Sequence, residues 1–394
     1  MKSAVAVTYE LDDAVDAARQ LTGSIKEQLE LEKNSIGILL CDADLDGASV
    51  TGALKKLLGI EVVGMTTLAT LDPGGRREAA AVLTVLTAED CAFLPAVSEP
   101  LIGSGHAEKI AGAYRAALSE GEPRPAMLFL FCPYGMSFSG DTYPQVLSKE
   151  TGNAPIMGGV ASDDYDYERA RVFFSGKEYK DALVLLGVWG NVRPLFSIRH
   201  VTSRFAERIR RVTEAEGNVV RKVGGETFVQ YLEGFGLKTD VEDPLLAFTP
   251  YPMMLTREGG ETPVMRHISG LNLTDGTGSF LGDVPTGTLA NICLVSKGDV
   301  TAACRESMKA LLDQAKLQKD GGYLYSTIFC ISCCGRAMLL GLDANAEGQI
   351  LAEMLPSGLT LAGAYCLGEI CPTRYGNGMA SNRFHNCSIT FCMF

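Results

Sequence analysis

Three cysteines and an arginine fall within the run FCISCCGR, at Cys330, Cys333, Cys334 and Arg336. A guanidinium beside a thiol lowers its pKa, so Cys333 or Cys334 is a candidate nucleophile for cysteine-dependent catalysis, with the distant His385 as a base that the fold would have to supply. The Cys330–Cys333 spacing is also half of a tetrahedral metal site. The other half would have to come from Cys366 with Cys371, or from Cys387 with Cys392 beside His385, and their spacing is not that of a zinc knuckle. Nine of the twelve cysteines lie after residue 290. Several sit in apolar strand-like runs, the pattern of buried core thiols.

A second cluster, Asp42, Asp44, Asp46 and Gly47, begins like a calcium loop. Its twelfth position holds Ala53 where a bidentate glutamate is required, so Asp46 is expected to cap a helix over 48–58 instead. The chain has no phosphate loop, no GxGxxG and no GxSxG. Its four histidines, His106, His200, His267 and His385, form no HExxH pair. Catalysis lacks a complete constellation.

The elements that would position these residues repeat. Over 35–68 an apolar strand ends in Cys41, a small-residue turn opens a helix, and a short strand ends on Gly64; over 125–164 the same order passes Cys132 and ends its short strand on Gly158. A helix-like stretch precedes each copy, from Leu11 and from Ser104, and two short strands follow each. The two copies are expected to be related by an approximate two-fold, with ligand space at their seam. A third, partial copy is read over 323–330, 337–355 and 359–366. The turns after Cys41 and Cys132 would offer free N–H groups and a positive helix end to an anion. The fold expected is α/β to α+β. Internally repeated strand-helix-strand units with mixed sheets fill 1–202, and a second α+β domain over 203–394 opens with a hairpin and a helix.

Composition bounds the partners. With 394 residues, 46% hydrophobic and 21% charged, the chain can bury sizeable cores. Its net charge of -12 argues against a nucleic-acid partner. The apolar runs are too short to span a bilayer, and acidic residues interrupt the start before a signal-length core can form. A cytoplasmic location with free thiols is expected.

Six segments in order resemble the signatures of FIST proteins: VVGMTTLATL, PIMGGVASDD, RRVTEAEGNVV, CCGRAMLLG, AYCLGEI and FHNCSITF. The resemblance covers most of the chain and implies an intracellular sensory module. Such modules bind a small ligand, such as an amino acid, and signal through kinase, cyclase or chemoreceptor outputs. One branch of the family binds haem and senses nitric oxide. This chain departs from the pattern at GMTTLATL, where only Thr66 and Thr67 keep hydroxyls, and at Cys387, where a polar residue is usual. The family's Gly-Arg step stands at Gly335 and Arg336, its GEI at Gly368, Glu369 and Ile370, and its His-Asn pair at His385 and Asn386.

The resemblance places candidate ligand contacts at Thr66, Thr67, Gly158, Gly159, Arg336, Tyr365, Glu369 and Asn386. Arg336 would clamp a carboxylate and Glu369 would meet an amino group. The competing reading pairs Arg336 with Glu369 as a lock within the C-terminal domain. No metal or other cofactor is expected; a haem-type gas sensor remains an alternative without a CxxCH or an identifiable axial histidine. The partners expected are a small polar ligand and a separate signalling protein.

Overall fold

The computed structural model describes residues 1–118, 124–134, 138–200, 209–256, 262–319, 323–374 and 380–394. It is mixed α/β, 27% helix and 38% strand. The first unit comprises β1 (Lys2–Thr8), α1 (Ala14–Gln28), β2 (Asn34–Cys41), α2 (Gly47–Leu58), β3 (Glu61–Thr66), the hairpin β4 (Ala69–Asp72) and β5 (Gly75–Arg77), and β6 (Ala81–Ala88). The second repeats it: β7 (Cys91–Val97), α3 (His106–Ala117), β8 (Met127–Cys132), α4 (Thr142–Glu150), β9 (Ile156–Val160), β10 (Val172–Phe174), β11 (Lys177–Tyr179) and β12 (Val184–Gly190).

The third unit opens with β13 (Leu195–His200) and is then interrupted by an inserted body. That body holds β14 (Arg210–Glu216), β15 (Val219–Val223), β16 (Glu226–Thr227), α5 (Phe228–Glu233), α6 (Pro244–Ala247), β17 (Met253–Thr256), β18 (Val264–Arg266), β19 (Ile268–Asn272), β20 (Thr277–Phe280) and β21 (Leu289–Ile292). The unit resumes with α7 (Lys297–Lys319), β22 (Thr327–Cys333), α8 (Cys334–Leu340), α9 (Ala346–Met354), β23 (Thr360–Cys366), the hairpin β24 (Glu369–Arg374) and β25 (Ala380–His385), and β26 (Ser388–Met393). The domain boundary expected near Thr202 falls outside the described residues.

The three units exchange hairpins in a cycle. Their sheets run β1-β6-β2-β3-β10-β11, β7-β12-β8-β9-β24-β25 and β13-β26-β22-β23-β4-β5, so each ends on the hairpin of a neighbour. In every sheet the second and third strands of the unit pair in parallel and the remaining pairs are antiparallel. The third copy is therefore complete, and a three-unit cycle replaces the expected two-fold. Sequence-level reading missed this because β13 is separated from the rest of its unit by the inserted body.

One glycine per unit makes the parallel pairing feasible. Gly64, Gly158 and Gly363 stand opposite Leu39, Leu130 and Cys330, and an added Cβ would come 1.8, 2.5 and 1.9 Å from those carbonyl oxygens. No side chain fits there. The cycle is sealed by three equivalent hydrogen bonds of 3.2 Å, from the N–H of Leu68 to the Tyr365 carbonyl, of Ser162 to that of Thr66, and of Leu367 to that of Val160.

The packing explains the continuous apolar runs. Ile38 and Leu40, Phe129 and Phe131, and Phe329 and Ile331 share one core between the sheets. The opposite faces lie under α1 and α2, under α3 and α4, and under the helices of the third unit. Strands buried on both faces cannot alternate. Asp46 caps α2 as expected, accepting from the Ser49 N–H at 2.9 Å, and Gly59 closes the helix at a φ of 70°. The inserted body has its own core around Val212, Phe228, Tyr231 and Phe280. No helix among the described residues is long and apolar enough to cross a membrane.

Candidate functional site

The residues expected to touch ligand do not all converge. Thr66 gives its hydroxyl to the Arg171 backbone, accepting from the N–H at 3.0 Å, and Thr67 donates to the Cys41 carbonyl at 3.4 Å. Gly158 and Gly159 are close-packing positions, the second within 3.0 Å of the Cys366 side chain were it to carry a Cβ. Tyr365 is fully buried beneath the Arg76 guanidinium, 5.4 Å from its ring centre, and its hydroxyl has no partner.

Arg336 is fully buried, and its partner is Glu347 of α9 at 2.6 Å. The Arg336–Glu369 lock is thereby replaced: Glu347, four residues after the end of a short 3-10 turn, faces the guanidinium from the next helix. Nη2, the nitrogen 2.6 Å from Glu347, also donates to the Val300 carbonyl at 2.8 Å, Nε donates to Glu347 at 3.2 Å, and Glu347 in turn accepts from Ser332 at 3.0 Å. Burial opposes the charge of Arg336, but the Glu347 carboxylate outweighs it and holds the guanidinium protonated.

Glu369, by contrast, forms no ion pair among the described residues. One carboxyl oxygen accepts from the Ser388 N–H at 3.2 Å and its hydroxyl at 2.6 Å; the other accepts no hydrogen bond of normal geometry. Burial raises its pKa to about 8 against the opposing effects of Ser388, the Cys333 thiol and the charge of Arg336. Asn386 lies in the β25–β26 turn, where the following Cys387 has a φ of 55°. Its carbonyl oxygen accepts from the His267 N–H at 3.3 Å, while its amide nitrogen and His267 Nε2 are buried without partners. Burial lowers the His267 pKa to about 4, so its ring is neutral.

A cavity of about 210 Å³ opens where the second unit, the third unit and the inserted body meet. Tyr134 and Phe138 come from the turn after Cys132, Asn218, Ser269 and Phe280 from the inserted body, and Leu367 from the sealing ring. Ser269 and Leu367 stand two residues from His267 and Glu369. The rings are held in place: Tyr134 stacks on Tyr167 at 4.3 Å, Phe138 on His106 at 4.2 Å, and Phe280 meets Phe228 edge-on at 5.2 Å. The turn after Cys132 was singled out in the sequence for its backbone N–H groups; the contributions of Asn218, Ser269 and Phe280 to the cavity carried no motif and could not be found there.

The inserted body is latched across this seam. Asp141 and Arg266 form an ion pair of 2.6 Å, both nearly fully buried, and Asp141 also accepts from the Asp283 N–H at 2.8 Å. Burial raises the Asp141 pKa despite Arg266.

The cysteine chemistry does not assemble. All twelve thiols are free and buried. Burial raises the Cys334 pKa to about 12 and that of Cys333 well above its usual value. Arg336 is engaged by Glu347, and His385 contacts His200 at 3.1 Å and the Cys371 carbonyl at 3.2 Å, so neither activates a thiol. Among the described residues, the three-residue grouping of metal-ligand type is Asp163, Asp164 and Asp166, with no cysteine in it. At pH 7.5 the native protein is expected to leave a thiol reagent unreacted over the time in which the denatured chain titrates fully. Rapid labelling of Cys333 or Cys334 would restore the catalytic reading.

His200 and His385 contact each other, His106 stacks on Phe138, His267 is buried, and none of the four is among the residues that line the cavity described above.

The FIST N domain model matches residues 35–226 and the FIST C domain model residues 226–372. No curated protein shows a match to the sequence. Among solved structures, cyanuric acid hydrolase from A. caulinodans is similar at 9% identity over 99% of this chain and 98% of that one, with a TM-score of 0.33. T. maritima PurL complexed with ATP aligns at 10% identity over 99% of this chain and 71% of that one, with a TM-score of 0.20. Neither likeness is strong enough to bear on the chemistry.

Proposed function

We propose, from the premise that this chain belongs to the FIST family, that it is a sensory protein whose small polar ligand occupies the cavity between the second unit, the third unit and the inserted body. FIST domains are sensory domains linked to small-ligand binding and signalling. The observation that carries the assignment is this cavity at the junction of three parts of the fold, with Leu367 and Ser269 of its lining two residues along the chain from Glu369 and His267, which carry buried polar atoms without partners. Buried polar groups are ordinarily hydrogen-bonded, and an unfilled requirement beside a cavity is what a ligand or ordered water satisfies. The volume is below that of drug-sized pockets and suits a molecule of amino-acid size.

In this reading Glu369 and Asn386 keep the roles expected of them, as polar groups at the rear of the site. Arg336 becomes a support for α8, and Thr66, Thr67, Gly158, Gly159 and Tyr365 build the ring around which the units close. The protein acts in the cytoplasm without a cofactor, and occupancy is passed to a separate output protein through the inserted body, which supplies one wall of the cavity.

Ser269 is half-buried on that wall. Natively isolated protein would be analysed by mass spectrometry for retained small molecules, and any found would be titrated into ligand-free wild type and Ser269→Trp. Filling the cavity is expected to weaken binding at least ten-fold, about 1.4 kcal/mol, with the melting temperature unchanged. Equal binding by the two proteins would remove the cavity from consideration.

A further inference from the structure

We infer that the ligand is a small organic cation, an amine or a quaternary ammonium, held by the aromatic rings of Tyr134, Phe138 and Phe280. This rests on the cavity being the ligand site and goes further, to the class of molecule it takes.

Three observations favour a cation over a zwitterion or an anion. First, three of the side chains lining the cavity are aromatic, and among the described residues that line it none is charged. Ring faces attract an organic cation through their quadrupole, most effectively when water is excluded. The stacking of Tyr134 on Tyr167 and of Phe138 on His106 fixes the two half-buried rings, so little side-chain freedom remains to be lost on binding.

Second, the buried charges around the seam are already balanced on the cationic side. Arg336 is neutralised by Glu347 and Arg266 by Asp141, each at 2.6 Å. A ligand carboxylate would therefore enter without a free counter-charge. Glu369, two residues from Leu367 in the lining, is a buried carboxyl with no ion pair among the described residues, and giving up its proton would offset the charge of a cation.

Third, the surroundings of the ring cluster are acidic. Burial and then the carboxylates of Asp163, Asp243 and Glu168 raise the Tyr134 pKa, which places those three negative charges within electrostatic reach of the cavity wall. The whole chain carries a net charge of -12, and a long-range field of that sign concentrates cations at its surface.

The test compares choline with its neutral carbon analogue, 3,3-dimethylbutan-1-ol, and with zwitterionic glycine betaine. Binding to the full chain is measured by calorimetry in phosphate rather than an amine buffer. Choline is expected to bind at least ten-fold more tightly than either. Its affinity should fall several-fold in Tyr134→Leu and Phe138→Leu and persist in Tyr134→Phe, which keeps the ring. Equal or tighter binding of the alcohol, preference for the betaine, or no binding of choline overturns the cation assignment. The comparison of the three probes needs only the wild type, so it stands even if a variant fails to fold. The cavity itself is judged separately by Ser269→Trp: alcohol or betaine binding that is lost in that variant ends the cation proposal and leaves the site in place, whereas choline binding that survives it ends both.

Discussion

Arg336→Ala is expected to lower the unfolding free energy by about 3–5 kcal/mol, because it leaves Glu347 as a buried carboxylate with no counter-charge. Both side chains of the pair are wholly inaccessible, and three hydrogen bonds, two to Glu347 and one to the Val300 carbonyl, orient the guanidinium. Glu347→Ala should cost a similar amount by stranding the opposite charge. Arg336→Met with Glu347→Leu should be much less damaging than the two losses added, since the penalty comes from the unpaired partner rather than from the absence of the bridge. Urea unfolding at pH 7 of wild type, both single variants and the double variant measures this. A stable Arg336→Ala protein that had lost only its ligand response would reverse the assignment and return Arg336 to a binding role.

Why Arg336 reads as a ligand clamp in the sequence is plain. Its partner lies eleven residues on, in a helix whose first turn looks like an ordinary exposed AEGQ, and nothing in that stretch marks Glu347 as buried. Side-chain burial depends on which helix faces which strand, and periodicity within one element does not supply that. The repeat, by contrast, was legible. A strand ending in cysteine, a small-residue turn and a glycine opposite a carbonyl are local requirements, and they recur at Gly64, Gly158 and Gly363. The helix cap at Asp46 and the hairpin that opens the inserted body followed from the same kind of local rule. Hairpin exchange was not legible, because β24 joining β9 and β4 joining β23 are pairings between distant parts of the chain. The cavity inherits that limit: Tyr134 follows a flagged turn, whereas Ser269 and Phe280 reach it only through the placement of the inserted body.

Glu369 is expected to make the protein lose stability as the pH rises from 6.5 to 8. Burial raises its folded-state pKa to about 8 from an ordinary 4.5, so the folded chain holds a proton there that the unfolded chain has released. An acid raised in this way contributes stability that is fully present below its unfolded pKa and is lost as the pH climbs through the folded value. The slope approaches about 1.4 kcal/mol per pH unit, which amounts to about 2 kcal/mol across the window. The buried histidines act in the opposite sense but elsewhere. Burial lowers His200 to about 3, His267 to about 4 and His385 well below its usual value, so their contribution is present above pH 6.5 and is lost as the pH falls. The thiols, held up by burial, also begin to oppose stability as the pH nears 8, but they do so equally in wild type and in a Glu369 variant. Chemical denaturation of wild type and Glu369→Gln at pH 6.5, 7.2 and 8.0 isolates the carboxyl, because the amide keeps the shape and cannot ionise. The wild type should weaken more steeply than the variant, and the difference between the two slopes reports the carboxyl. Parallel slopes for the two proteins would show that Glu369 is already ionised in the folded state, and a carboxylate that needs no proton at pH 7 must have a cationic or hydrogen-bonding partner beyond Ser388.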